Sequence, residues 1–284
     1  MKTAAQQATS RPGPGTGMLV DPQWLEDHLL DPQVRVVEVD VSPAAYHDWH
    51  IDGAVLWNVY ADLKDASYRL VDAAALERLM TRSGIRPDST VVFYGYAPAL
   101  GLWLMKLYGH DDVRILDCSR DTWRALGHPW STAASEVPAG GYCLGGEDPG
   151  IRADGAMVQD AIGQPGTTVI DVRSSAEYRG DCFWPSGGMQ PGGHAGHVPS
   201  AVHQPIDGLY NVDGSFRCAE ELRGVFSPAI LDGGRDLITY CTIGGRAATA
   251  WFVLTHVLGL ERVRVYDGSW AEWGRTPGMP VERS

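Results

Sequence analysis

The sequence predicts an α/β protein built from two copies of one unit in tandem, each a mainly parallel β-sheet flanked by helices. Three observations lead there. Landmarks recur at a fixed offset, short β-branched strands alternate with helical stretches, and a Pro/Gly/Ser-rich segment divides the chain. The repeat is plainest between GHDDVRILDCSRDTW (109–123) and GLERVRVYDGSWAEW (259–273). At an offset of 150, Gly109/Gly259, Val113/Val263, Asp117/Asp267, Ser119/Ser269 and Trp123/Trp273 are identical.

Taken in order, residues 1–17 (MKTAAQQATSRPGPGTG) are polar and Pro/Gly-rich, and a disordered lead-in is expected. The first copy occupies 18–130. Its VVEVD (36–40) mirrors VIDVR (169–173), HIDGAV (50–55) mirrors HVPSAV (197–202), and STVVFYG (89–95) mirrors RDLITYC (235–241). Residues 131–150 are the expected linker. The second copy runs over 151–284, with strands expected at 168–172, 201–204, 236–240 and 263–266. Between the last two, AATAWFVLTHVL (247–258) is apolar over most of its length. That suits a buried helix, and Gly259 is placed to cap it.

Composition narrows the function classes. Lys and Arg total 23 against 35 Asp and Glu, a net charge of −12, which argues against a broad nucleic-acid or anionic-membrane surface. No apolar run approaches the roughly eighteen residues of a membrane span. No apolar stretch precedes Met18, so no secretory signal is read and the expected location is cytoplasmic. Five cysteines, an odd number without a C-x-x-C pair, suggest one special thiol in an intracellular protein rather than a disulfide framework.

Cys241 is that thiol. It stands directly after the strand-like LITY and before TIGGR and the apolar helix. Gly244 and Gly245 let successive backbone N–H groups turn inward as an anion-binding nest at a helix N-terminus. Those donors and the helix dipole favour a thiolate, and Arg246 adds a fixed positive charge. The loop therefore suits a nucleophile that receives an anionic substrate.

With these residues the chain resembles the rhodanese family of sulfurtransferases, in the two-domain form that includes thiosulfate and mercaptopyruvate sulfurtransferases. The resemblance runs from about residue 18 to the C-terminus. It rests on CTIGGR (241–246), the strand end formed by Asp171 and Arg173, GHVPSAV (196–202) and VYDGSWAEW (265–273). It implies Cys241 as catalytic nucleophile, a substrate-binding loop of Thr242, Ile243, Gly244, Gly245 and Arg246, and neither a metal nor an organic cofactor. Cys241 to Arg246 is C-x4-R, the loop length associated with sulfur transfer; related phosphatases have C-x5-R. Tyr240, not His, precedes the nucleophile, and no general acid is evident beside it.

In the first copy Gly95 aligns with Cys241, Pro98 replaces the glycines, and the loop is about four residues shorter. That domain is expected to be catalytically inactive and to pack against the other, with the active site near their interface. The mechanism implied is double displacement. The Cys241 thiolate takes the outer sulfur of thiosulfate, releases sulfite, and passes a persulfide sulfur to cyanide, a thiol or a protein thiol. Backbone N–H groups from Thr242 to Arg246 steady the anionic sulfur.

The donor stays open between thiosulfate and 3-mercaptopyruvate. Thr242 and Ile243 match neither loop type, whereas Arg246 resembles bacterial thiosulfate enzymes with C-x-I-G-x-R. The alternative function is a persulfide carrier or scaffold that delivers sulfur from a partner protein to a biosynthetic pathway. Arg179 and Arg173 are candidates for the donor's anionic end, although Arg173 has Asp171 and Glu177 as competing partners. Some family members have Arg where this chain has Glu177.

The remaining candidates have plainer readings. Cys118 takes the place of Gly268 in the repeat and is read as structural. Cys182 begins the insertion CFWPSGGMQPGGHAG (182–196) and is a candidate resolving thiol. The insertion itself forms either a wall of the active-site mouth or a cover for the domain interface. His194, His197 and His203 lie on a Gly-rich stretch without helical spacing, and no metal site is assigned. Asp117 and Asp267 are expected to hydrogen-bond N–H groups of the turns that follow them.

Overall fold

The computed structural model describes residues 16–283; most of the expected lead-in, 1–15, lies outside the described residues. The first unit contains strands β1 (Leu19–Val20), β2 (Val34–Asp40), β3 (His50–Ile51), β4 (Val55–Asn58), β5 (Thr90–Gly95), β6 (Val113–Leu116) and β7 (Trp130–Ser131). Helices α1 (Pro22–His28), α2 (Pro43–Asp48), α3 (Ala73–Arg82), α4 (Pro98–Leu107) and α5 (Arg120–Ala125) alternate with them. The second unit has β8 (Arg152–Ala153), β9 (Thr167–Asp171), β10 (Val202–His203), β11 (Asp236–Tyr240) and β12 (Val263–Tyr266). Its helices are α6 (Gly155–Ala161), α7 (Ser175–Arg179), α8 (Ala219–Val225), α9 (Pro228–Leu231), α10 (Gly245–Phe252) and α11 (Ser269–Trp273).

The duplication in sequence is a duplication in topology. One sheet runs β1-β6-β5-β2-β4 and the other β8-β12-β11-β9-β10, position for position the same order, with every pair parallel. Parallel pairing needs a crossover between strands, and the crossover helices cover both faces. Hence the central strands are apolar on both sides rather than alternating: VVFY of β5 is wholly buried, as is LITY of β11. The short β3–β7 pair is antiparallel and closes one end of the first unit.

The central strands β5 and β11 feed α4 and α10, and these two helices pack against each other across the domain boundary. Each is therefore covered on all sides, by its own sheet and by the opposite domain. In α4 every residue but Pro98 and Lys106 is buried, and in α10 every residue but Arg246. One continuous apolar core spans both units in consequence. The apolar stretch 247–258 is helical as expected but changes pitch: α10 passes into a π-helical turn over Val253–Val257. Gly259 then ends it at a φ of +78°.

A second pair of contacts fastens the domains with near-twofold symmetry. Asp267 Oδ2 accepts the backbone N–H of Leu70 at 3.0 Å, and Asp117 Oδ1 accepts that of Phe216 at 2.7 Å. The expectation that these carboxylates bond the turns that follow them is thus corrected. Their donors lie in the other domain, because each strand end faces the interface rather than solvent.

Candidate active site

The site begins with a strand that ends short of its neighbour's helix. β11 stops at Tyr240, and Cys241 to Gly244 form the four-residue connection to α10. In the first unit Gly95, the equivalent of Cys241, is followed by only Tyr96 and Ala97 before α4, so the loop is one residue shorter rather than about four; the other three residues are lost from the helix, 98–107 against 245–257. A Cβ at Gly95 would lie 3.0 Å from both Glu38 Cγ and the Val39 carbonyl, so that position has no room for a thiol.

The Cys241 loop is held from below by the turn that carries the repeated Asp-x-Ser motif. The Cys241 N–H donates to Ser269 Oγ at 3.1 Å, and Ser269 Oγ donates to the Tyr266 carbonyl at 2.8 Å. The Trp270 and Ala271 N–H groups donate to the carbonyls of Cys241 and Thr242 at 2.9 and 2.8 Å. With its carbonyls engaged behind it, the loop turns an amide forward: Gly244 N–H donates to Cys241 Sγ at 3.1 Å. Gly244 adopts a φ of +97°, and a Cβ there would meet the Asp267 carbonyl at 3.0 Å. Only glycine is unstrained at that corner.

Arg246 closes the loop but does not stand free. Its Nη1 and Nη2 reach Glu177 at 2.9 and 2.7 Å, and Nη2 also reaches Thr242 Oγ1 at 2.7 Å. Thr242 Oγ1 in turn donates to Glu177 at 2.6 Å. Glu177 is fully buried at the third position of α7, where it forms a capping box with Ser174. Burial alone would raise its carboxyl, but the Arg246 donors and charge, with Thr242 and Ser174, hold it at about 2.

The other arginines expected at the site lie elsewhere. Arg173 is fully buried, forks onto Asp171 through Nε and Nη2 at 2.9 to 3.1 and 2.6 Å, and lies 4.5 Å from the Trp270 ring centroid. Tyr240 Oη donates to the same carboxylate at 2.6 Å and accepts from the Val198 N–H at 3.1 Å. This knot fastens the ends of β9 and β11. Arg179 is exposed and pairs with Asp181 at 2.8 Å. Neither arginine lines the cavity over Cys241.

That cavity has a volume of about 350 Å³, within the range of small-molecule sites. Cys241, Thr242, Ile243, Gly245 and Arg246 form its floor. The first unit supplies Tyr60, Tyr68 and Tyr96, and the insertion supplies Trp184, Pro185 and Ser186. The insertion is thus a wall of the mouth, and Trp184 also touches Tyr68 of the other domain at a centroid distance of 5.6 Å. The sequence left the insertion open as a wall or a cover, and it did not mark the three tyrosines, which sit singly in a helical turn and in connections where no periodicity points to them. Cys182 is buried and its thiol is raised by that burial; Cys118, likewise desolvated, is pushed up to about 12. His197 and His203 stack on the two sides of Tyr178 and hydrogen-bond the carbonyls of Tyr178 and Arg173.

Comparison with known proteins bears on this geometry. A family model described as a rhodanese-like domain matches twice, at residues 21–126 and 155–276. A relative from Mycolicibacterium smegmatis, provisionally named a thiosulfate sulfurtransferase, is 38% identical over 271 residues, covering 93% of this chain and 97% of its own. The sulfur carrier protein TtuD of Thermus thermophilus is 37% identical over 275 residues, covering 94% and 96%. Among solved structures, YnjE matches with a TM-score of 0.81 at 24% identity, covering 96% of this chain and 70% of that one. The anaerobic ergothioneine biosynthesis enzyme of Chlorobium limicola matches at 0.80 and 24%, covering 94% and 70%. Both structural likenesses speak to the fold. No described helix is long and apolar enough to cross a membrane.

Proposed function

The chain belongs to the rhodanese family, and from that premise we propose that it moves sulfane sulfur from thiosulfate or a related donor to a thiophilic acceptor through a Cys241 persulfide. The observation that carries the reading is the loop itself: a buried thiol at a strand end, with the Gly244 N–H aimed at its sulfur, under a cavity between the domains.

The Cys241 thiolate attacks the outer sulfur of S–SO3²⁻. The S–S bond of the donor breaks, its electron pair leaves with sulfite, and the enzyme holds Cys–S–S⁻. Charge is conserved, two anions in and two out, and no proton is needed. An acceptor anion such as cyanide or a thiolate then attacks the terminal sulfur, restores the cysteine thiolate and departs as thiocyanate or a persulfide. The Gly244 N–H, already 3.1 Å from Sγ, and its neighbours in the nest support the charge as it moves outward.

The first domain, whose Gly95 leaves no space for a nucleophile, is inactive in this scheme and contributes walls. Arg173 and Arg179 are left out of the substrate contacts. The second reading, a persulfide carrier fed by a partner protein, is favoured by the Arg246–Glu177 pair, which neutralises the guanidinium in the cavity that would draw in an inorganic dianion. The Thermus relative is likewise named a sulfur carrier protein.

Steady-state thiocyanate formation over a grid of thiosulfate and cyanide tests the first reading. Parallel double-reciprocal lines, and their loss in Cys241→Ser, are expected. Converging lines, or turnover surviving in the variant, would contradict a covalent sulfur intermediate.

A further inference from the structure

We infer that Lys64, a residue of the first domain, is a positioning residue for the Cys241 loop, supplying from across the domain interface the buried positive charge that supports negative charge on the cysteine sulfur. The inference rests on Cys241 as the nucleophile.

Three observations carry it. Lys64 has 1% of its side-chain surface exposed, and its Nζ donates to the Asp267 carbonyl at 2.8 Å and lies 3.5 Å from Asp267 Oδ2. The same Nζ is 3.4 Å from where a Cβ on Gly244 would stand, so the ammonium lies beside the residue whose amide donates to Cys241 Sγ. Burying a lysine is costly unless something answers its charge. Asp267 answers only in part, because its other oxygen accepts Arg152 Nε at 3.0 Å, so one carboxylate serves two cations.

The third observation comes from the duplication. Lys64 bridges to Leu70, whose N–H reaches Asp267; Tyr210 bridges to Phe216, whose N–H reaches Asp117. Lys64 and Tyr210 therefore hold equivalent places about the pseudo-twofold. The lysine faces the loop that bears Cys241, and the tyrosine stands beside a cavity lined by Gly95, the position equivalent to the cysteine. A lysine serving only the interface would be equally useful in both places. It is found beside the loop that carries the cysteine.

The charged and titratable groups around this centre are Asp267 and Arg152 behind it, Glu147 on the far side of Arg152, Glu272 with its partner Arg69, and Arg246, Glu177, Tyr60 and Tyr96 around the cavity. Burial lowers the Lys64 ammonium below its ordinary value, and Asp267 and the Cys241 charge oppose that shift without reversing it.

The test is the rate of Cys241 modification by iodoacetamide, followed by the mass of the peptide that carries Cys241 from pH 6 to pH 10, in the wild type, Lys64→Gln, Lys64→Met and Lys64→Arg. A single lost charge at this range is worth about a tenfold change in thiolate population below the midpoint. Lys64→Gln and Lys64→Met are expected to react about tenfold more slowly at pH 7, to recover to within about twofold at pH 10, and Lys64→Arg to rescue the rate at pH 7. A loss equal at every pH, or no loss, in whichever neutral variant is folded would overturn the assignment. A wild type that takes sulfur from no donor yet shows this pH pattern would sink the functional proposal alone.

Discussion

Glu177→Gln removes one charge from the centre of the site while keeping the shape of the side chain. Glu177 has no exposed surface, and 23% of the Arg246 side chain is exposed, so solvent screens the pair little. The carboxyl is held at about 2 against an ordinary 4.5. A depressed carboxyl stabilises the fold above its unfolded value, and the benefit is lost as pH falls towards the folded one. At 1.36 kcal/mol per unit, the shift corresponds to about 3 kcal/mol at pH 7 and at pH 5, and about 1.5 kcal/mol at pH 3. Urea unfolding followed by tryptophan fluorescence at those three pH values measures it. The wild type should exceed the variant by that margin at pH 7 and 5 and by about half of it at pH 3. A difference that does not change with pH, or a variant as stable as the wild type at pH 7, would refute the ion-pair reasoning.

Two further outcomes follow from the same geometry. Tyr240→Phe removes one donor from the Asp171 carboxylate, which keeps Arg173, and leaves the buried Val198 N–H without its partner; it should lower stability by about 1 to 3 kcal/mol in the same urea assay. Gly244→Ala forces a side chain into the left-handed corner and against the Asp267 carbonyl; sulfur loading in a single turnover should fall at least about tenfold with little change in the far-UV spectrum, reflecting about 1 to 3 kcal/mol of strain at the loop.

Much of the fold was legible because it is written twice. The offset repeat foretold two sheets of one order, and β-branched runs marked the central strands to within a residue: 236–240 and 263–266 coincide with β11 and β12. Cys241 was legible because strand, glycines and apolar helix are contiguous. What surrounds it was not. Glu177 meets Arg246 only because α7 is folded over the loop, and a Ser-x-x-Glu capping pattern at Ser174 carries no hint of that partner. Arg173 looked available from its place at a strand end, yet the buried Asp171 takes it. Lys64 lies 203 residues from the Asp267 it serves, and only the comparison with Tyr210 across the repeat could have singled it out. The insertion's role was undecided because Trp184 reaches both the cavity and Tyr68, which its sequence does not reveal.

The central claim is that sulfur rides on Cys241. Intact mass after incubation with thiosulfate, and again after cyanide, tests it most directly beside a Cys241→Ser control. The account predicts a gain of one sulfur atom that cyanide removes and that the control lacks. A protein whose mass is unchanged by thiosulfate, by 3-mercaptopyruvate and by a persulfidated partner protein, or a control that gains sulfur as the wild type does, would contradict it.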